Sequence, residues 1–395
     1  MSTIVQPVSA GIVAAIAGFA TSFALVIAGL HAVGASDAQA SSGLLIACVT
    51  TGVSCIFLAW RYRMPISTAW STPGAALLVA AARDDAHFAA SVGAFIVCGV
   101  LIVLCGMWPW LGRMVTSIPK PIASAMLAGI LFPICLAPVT ASIEFPMLAL
   151  PIVAVWFIMF RLAPRWAVPS AMLVCGIVIA LSAGTEWLTA QSVAPQLVLV
   201  MPEFDPVVIV SLGLPLFIVT MAGQNVPGFA VMSTFGYQVP PRPALVTTGA
   251  LSAGGGFFGG LGINLAAITA AIMASPEAHP DRDKRWVATV TAGFCYVLLG
   301  LGATVATALV SASPTIIIIA VAGLAVVGAL ITSVTGALED PKHRVTAIAT
   351  FLVTASGLSL FGIGSAFWGL LTGAIFMLWL SWTRRERAVQ DAATP

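Results

Sequence analysis

MPISTAWSTPGAALLVAAA, residues 64–82, is almost wholly apolar yet cannot run as one helix. It opens with an extended-looking run to Trp70, offers Ser71 or Thr72 as an N-cap, sets Pro73 at the first helical position and reads as helix from Gly74. A second stretch behaves the same way. GGGFFGGLGINLAAITAAIMA, residues 254–274, is glycine-laden as far as Gly262 and then reads helical through Asn264 and Leu265. Each is half a helix that starts in the middle of an apolar segment.

The surroundings say what solvent those segments meet. Of 395 residues, 60% are hydrophobic and only 8% charged, and the mean hydropathy is +1.07. A water-soluble domain carries about 25% charged residues because its surface must face water. Most of this surface therefore faces lipid, and the same composition excludes disorder, collagen and coiled coil. The net charge of +2 offers no basic surface for nucleic acid.

Apolar runs between charges and turn residues fall near 8–30, 41–60, 67–82, 88–110, 119–137, 147–162, 167–184, 206–229, 243–258, 262–275, 285–310, 313–334, 345–360 and 363–383. These ranges predict an all-α polytopic membrane protein of about 14 transmembrane segments. With the amino terminus in the cytoplasm, fifteen of the sixteen Lys and Arg fall in cytoplasmic loops and only Arg83 falls outside. Basic residues resist translocation, so this bias supports the count and the orientation, with both termini cytoplasmic; a bacterial-type inner (plasma) membrane is the expected location. No cleavable signal is expected, because the start MSTIVQPVSAG lacks a basic n-region.

Seven segments per half makes the second half enter the membrane in the opposite sense, which is the inverted repeat of secondary transporters. The halves are 1–184 and 206–383, joined by residues 185–205. The two interrupted stretches are the third and tenth segments, corresponding members of the two halves. Paired, broken segments mark a transporter's binding site.

A helix that begins at mid-membrane leaves unpaired N–H groups and a positive dipole end, about half a charge, toward the cavity. Two such ends suit an anion without the cost of a buried Lys or Arg. Thr72, Asn264 and the amides of Gly262–Asn264 are the expected carboxylate donors; the competing reading is that Pro and Gly merely kink packed helices. In the eighth segment, PLFIVTMAGQNVPGFAVM, Gln224 and Asn225 either tie helices together or meet a substrate. Trp70, Phe229, Phe257 and Phe258 are candidates for an apolar wall around a ring.

Three stretches, STPGAALL at Ser71–Leu78, TMAGQNVPG at Thr220–Gly228 and GINLAAITAAI at Gly262–Ile272, resemble in matching order the signatures of the benzoate/proton symporter family. That family is similar to the nucleobase and ascorbate transporters. The resemblance implies a core of segments one to four and eight to eleven (about 8–110 and 206–310). It also implies a gate of segments five to seven and twelve to fourteen (about 119–184 and 313–383), and short strands before the half-helices. It places substrate at Ser71, Thr72, Pro73, Gly74, Gln224, Asn225, Gly262, Ile263, Asn264 and Leu265. The implied activity is proton-driven import of benzoate or a similar aromatic carboxylate by alternating access. Another nucleobase or organic-anion substrate, or an anion channel, is the alternative. A homodimer is implied by analogy only.

Nucleobase relatives carry acids in segments eight and ten where this chain has Gln224 and Ile263. A fixed carboxylate beside benzoate would repel it, so the change suits an anion. It also removes the obvious proton carrier, since all fourteen Asp and Glu fall in loops or at segment ends. The proton is then expected to travel with the substrate carboxylate or through water and amides at the site.

No cofactor, metal or enzymatic centre is expected. The cysteines Cys48, Cys55, Cys98, Cys105, Cys135, Cys175 and Cys295 lie in apolar runs and read as small core residues. Gly254–Gly259 matches GxGxxG without a dinucleotide site's context, and Ser117–Lys120 matches SxxK without companion motifs. His31, His87, His279 and His343 read as solvated residues at loops or segment ends, with His31 the one candidate for proton handling.

Overall fold

In lipid every backbone donor and acceptor must be satisfied within the protein, which leaves helices as the natural form for apolar segments. The computed structural model is helical over most of the residues that the structure describes, 2–82, 87–108, 110–111, 119–183 and 194–393. Arg83, Asp84, Asp85, Arg113, Ser117, Ile118 and residues 185–193 of the joining stretch lie outside them.

In chain order the elements are α1 (Ser2–Ala20), α2 (Phe23–Ala32), α3 (Asp37–Tyr62), β1 (Thr68–Trp70), α4 (Thr72–Ala80), α5 (Phe88–Met107), α6 (Lys120–Glu144), α7 (Pro146–Leu162) and α8 (Ala167–Ala183). Then come α9 (Pro206–Thr234), α10 (Pro241–Gly256), β2 (Ile263–Leu265), α11 (Ile268–Ala274), α12 (Trp286–Gly300), α13 (Ala303–Ser311), α14 (Thr315–Leu338), α15 (Arg344–Ala355) and α16 (Ser365–Ala393).

Among the described residues six helical stretches are long and apolar enough to cross a bilayer: Ile4–Ala32, Asp37–Tyr62, Phe88–Met107, Lys120–Glu144, Pro206–Thr234 and Thr315–Leu338. The pair Arg282–Gly300 and Ala303–Ser311, bent by 54°, adds a seventh if taken as one span. The remaining apolar segments take shorter forms. On α7 and α8 large side chains stay outward, Phe157 at 70% and Leu181 at 81% exposure, as a lipid-facing surface requires.

Close helix contact rests on glycine. Where α3 crosses α12, a Cβ on Gly52 would lie 2.5 Å from the Gly293 carbonyl, and one on Gly293 would lie 2.7 Å from the Gly52 carbonyl. Where α5 crosses α10, Gly99 and Gly249 make the same reciprocal approach, 2.8 and 2.7 Å. With no hydrophobic drive between helices in lipid, such contact supplies the van der Waals attraction that holds them. Elsewhere α6 packs on α14 and α15, α7 on α8, and α15 on α16.

Three local breaks position the site. Between α1 and α2, the Thr21 and Ser22 hydroxyls both donate to the Gly18 carbonyl at 3.0 Å, drawing it out of the helical ladder. Within α9, Ile209–Gly213 and Met221–Asn225 are π-helical. Each π segment ends two residues before a proline, Pro215 and Pro227, whose ring supplies no N–H and crowds the preceding turn. The ladder widens to i→i+5 bonds, Leu214 N–H to Ile209 and Val226 N–H to Met221. Third, β1 and β2 pair antiparallel, Thr68 with Leu265, Ala69 with Asn264 and Trp70 with Ile263.

That pairing corrects two sequence expectations. Residues Asn264 and Leu265 are strand, and helix resumes only at Ile268, because antiparallel pairing satisfies this backbone in lipid-depth protein before a helix can. Of the two N-caps the sequence offered, Ser71 is the one used, so Pro73 holds the second helical position and not the first. His279 is also not solvated. It is 3% exposed, its ring Nδ1 accepts from the Asp281 N–H at 2.9 Å, and its carbonyl accepts from the buried Arg285 guanidinium at 2.7 Å.

Candidate functional site

Four segments meet at the strand pair. The Ser71 N–H donates to the Gly262 carbonyl at 2.9 Å, which locks the start of α4 to the β2 arm. Hydrogen bonding orients the Asn264 amide so that its oxygen also accepts from the Ser71 N–H, 3.2 Å, while its nitrogen donates to the Leu265 carbonyl, 2.9 Å. From α9, the Thr220 hydroxyl donates to Ser71 Oγ at 3.1 Å and the Asn225 Oδ1 accepts the Leu265 N–H at 2.9 Å. From the α1–α2 break, Ser22 Oγ accepts the Trp70 indole N–H at 2.9 Å.

Most of the expected ligand groups are consumed by this scaffold. Ser71, Asn225, Ile263 and Asn264 are 0% exposed and Leu265 is 1% exposed. The Ile263 N–H donates to Ser252 Oγ at 2.8 Å, and the Asn225 amide nitrogen donates to Met221 Sδ at 3.3 Å. Pro73 and Gly74 are buried, and a Cβ on Gly74 would meet Leu216 at 2.6 Å and Ser71 Oγ at 2.8 Å. Gly262 is buried, with its carbonyl committed to Ser71. The second half-helix, α11, is seven residues long and starts at Ile268, three residues beyond β2 and later than the sequence suggested.

Two polar residues remain open. Thr72 is half-buried, and no acceptor among the described residues takes its hydroxyl or its N–H, the first donor of α4. The next N–H groups are used or missing: Pro73 has none, Gly74 donates to Ser71 Oγ at 3.1 Å, and Ala75 to the Ser71 carbonyl at 2.8 Å. Gln224 is half-buried with no protein partner among the described residues, one turn beyond the Thr220 that touches Ser71. Both α4 and the π segment Met221–Asn225 pack against α6. Thr72 and Gln224 therefore sit where the strand-bearing elements meet α6.

The aromatic wall differs from expectation. Trp70 is buried, with the Phe19 ring edge-on at 6.2 Å, and Phe19 stacks on Phe23 at 5.0 Å. Phe19 and Phe23 are half-buried and were missed, although the Thr21-Ser22 pair in the middle of an apolar run is a legible break signal. The Phe257 and Phe258 carbonyls accept from the Val200 N–H and the Ser42 hydroxyl at 2.8 and 2.9 Å, which ties this turn to the residue 200 region and to α3. Phe229 packs among the core side chains beside β2.

Replacing Ser71 by Ala removes the α4 cap and leaves the Thr220 hydroxyl without its acceptor. A loss of about 1–2 kcal/mol is expected, read as a lowered thermal midpoint of the detergent-purified protein.

A family model described as benzoate membrane transport protein matches residues 2–378. The chain belongs to that family. Within the benzoate membrane transport family's reach, a protein of Acinetobacter baylyi described as benzoate membrane transport protein is 34% identical over 330 residues, 83% of each chain. An Escherichia coli protein described as inner membrane protein YdcO is 42% identical over 367 residues, 93% of each. Among solved structures, the transmembrane domain of the cyanobacterial bicarbonate transporter BicA is similar at TM-score 0.59 and 16% identity, covering 94% of this chain and 96% of that one. SLC26A9 is similar at TM-score 0.60 and 16% identity, covering 97% of this chain and 66% of that one. These two likenesses carry the fold alone. The chain is thus a multi-pass membrane protein of a transport family.

Proposed function

We propose that the protein imports benzoate or a similar aromatic carboxylate together with protons, by alternating access in the inner membrane. The observation that carries this reading is the pairing of open donors without a cation. The Thr72 N–H and hydroxyl at the start of α4, and the Gln224 amide on the π segment that packs on the same helix α6, offer hydrogen bonds to a carboxylate, and among the described residues neither segment carries a Lys or Arg. The half-charge at the helix start favours the anion, and hydrogen bonds to a charged acceptor are about twice as strong as neutral ones. Phe19, Phe23 and Trp70 supply a face for the ring.

Fourteen spans in two inverted halves, with both termini cytoplasmic, belong to the same proposal. Exchanging each segment with the one seven places on turns the α3–α12 contact into α10–α5, and α7–α8 into α15–α16. It returns α6–α14 and β1–β2 to themselves, and all these contacts occur. The reciprocal glycine crossings follow the same exchange. The moving boundary is the contact of α4 and α9 with α6, which separates the proposed core from the proposed gate.

Purified protein in liposomes with an inward proton gradient tests the function. Saturable accumulation of labelled benzoate, above uracil, sulfate and aliphatic acids, is expected. Preference for uracil overturns the substrate, and non-saturable flux indifferent to the gradient favours a channel.

A further inference from the structure

The α2–α3 turn holds a charged cluster that the transport reading leaves without a role. His31, in the last turn of α2, has its Nε2 shut off from solvent and without a hydrogen-bond partner among the described residues. Asp37 Oδ1 stands 3.2 Å from that nitrogen, within reach of an ion pair but off the line of a hydrogen bond. The same oxygen accepts the Ser311 hydroxyl at 2.7 Å. Each charge suits its helix, since His31 ends α2 and Asp37 begins α3, where the dipoles favour a cation and an anion respectively. Gly34, at φ 91°, permits the short turn between them.

Ser311 is the last residue of α13, and only Ala312, Ser313 and Pro314 link it to α14. The cluster is therefore tied to the point where the proposed core passes into the proposed gate. Besides α1, α3, α4 and α13, α2 packs directly on α14. None of α1, α4, α13 and α14 carries a titratable or charged side chain. From α3 comes Asp37, while Cys48 and Cys55 stand about three and five turns further along. His87 heads α5, whose Ser91 hydroxyl reaches the Val33 carbonyl of the turn at 3.5 Å. The His31 side chain is 28% and that of Asp37 51% exposed, so water reaches the pair in this conformation.

We propose that His31 and Asp37 form a proton site on the outer face, which must be filled before the loaded core can close against the gate there. This rests on the transport reading and on its orientation, with α2 ending outside. With His31 neutral the pair carries one negative charge, and closing α2 and α3 against α14 strips water from a lone carboxylate, which is costly. A proton taken from the outer water onto the imidazole makes the pair neutral overall, gives Asp37 a charge-assisted partner and lowers that cost. Histidine suits the task because its protonation changes between about pH 5 and 8. The proton returns to the outer water when the face reopens, so the pair times the cycle and is separate from the transported proton.

The test is exchange of labelled benzoate by the purified full-length protein in liposomes, with equal pH on both sides so that no gradient drives it. Stepped over about pH 5 to 8, the wild-type rate should fall about tenfold toward alkaline pH. His31→Gln leaves Asp37 alone at every pH and should be slow and flat. His31→Lys keeps the pair neutral and should be fast and flat. His31→Gln combined with Asp37→Asn removes both charges and should regain the fast rate, a rescue that a merely structural role for His31 does not give. His87→Gln should keep the wild-type profile. Asp37→Cys should react with a membrane-impermeant maleimide from outside intact cells. A wild-type pH profile in His31→Gln, a double variant as slow as His31→Gln, a flat profile in His87→Gln, or labelling only after lysis overturns the site. If His31→Gln does not fold, a wild-type slope in His31→Lys overturns it. Failure of wild-type benzoate exchange at every pH would instead overturn the transport reading.

Discussion

Gln224→Ala is expected to weaken benzoate uptake about 10–100-fold while leaving the folded protein intact, whereas its neighbour Asn225→Ala is expected to lose stability as well. The two amides are adjacent in sequence and opposite in duty. Gln224 bonds to nothing among the described residues, so truncation should remove only the proposed charge-assisted hydrogen bond to the substrate, about 1.5–3 kcal/mol, and spare the fold. Asn225 is 0% exposed and holds the Leu265 N–H at 2.9 Å. Its loss strands a buried donor in β2, at a cost of about 1–3 kcal/mol, and frees the strand pair that places α4. Uptake in liposomes read beside thermal unfolding separates them. Equal unfolding midpoints for the two variants, or unaltered uptake in Gln224→Ala, would count against this division. Gln224→Glu should be worse than Ala for benzoate, because it sets a like charge beside the carboxylate.

Gly52→Val and Gly99→Val should each prevent assembly of a stable protein. A Cβ at Gly52 would stand 2.5 Å from the Gly293 carbonyl, and one at Gly99 would stand 2.5 Å from the Ala253 nitrogen. The obstacles are backbone atoms of a packed helix, which cannot rotate away as a side-chain tip would. Relief requires parting the helices, and overpacking of this kind costs about 1–3 kcal/mol or more while forfeiting the contact that binds helices in lipid. Gly254→Val on α10 is the matched control, since nothing lies within 4 Å of a Cβ there. Fluorescence-detected size exclusion of membrane extracts checks the set. Monodisperse Gly52→Val at wild-type yield would show that the crossing is looser than described.

Much of this architecture was legible without coordinates. Pro73 after Ser71, and the glycines before Asn264, announced interruptions because Pro removes a donor and glycine resists a helix wherever they stand. The break at Thr21-Ser22 was equally visible in principle, and it leads to Phe19 and Phe23. The roles of neighbouring polar residues were not legible. Nothing in the letters Gln224-Asn225 says which amide meets β2, since that depends on the π turn that Pro227 forces and on where the strand lies. Likewise Asn264 and Leu265 read as helix because a local pattern cannot see a partner strand roughly two hundred residues away.

Sequence alone therefore determined the solvent, the apolar segments and the places where their helices must break, because lipid and backbone hydrogen bonding act on each segment independently. Which donors stay open for a ligand was decided only by tertiary structure. A hydrogen bond between Leu265 and Asn225, or between Thr220 and Ser71, exists only once distant segments are brought within 3 Å or so, and each one formed removes a group from the site.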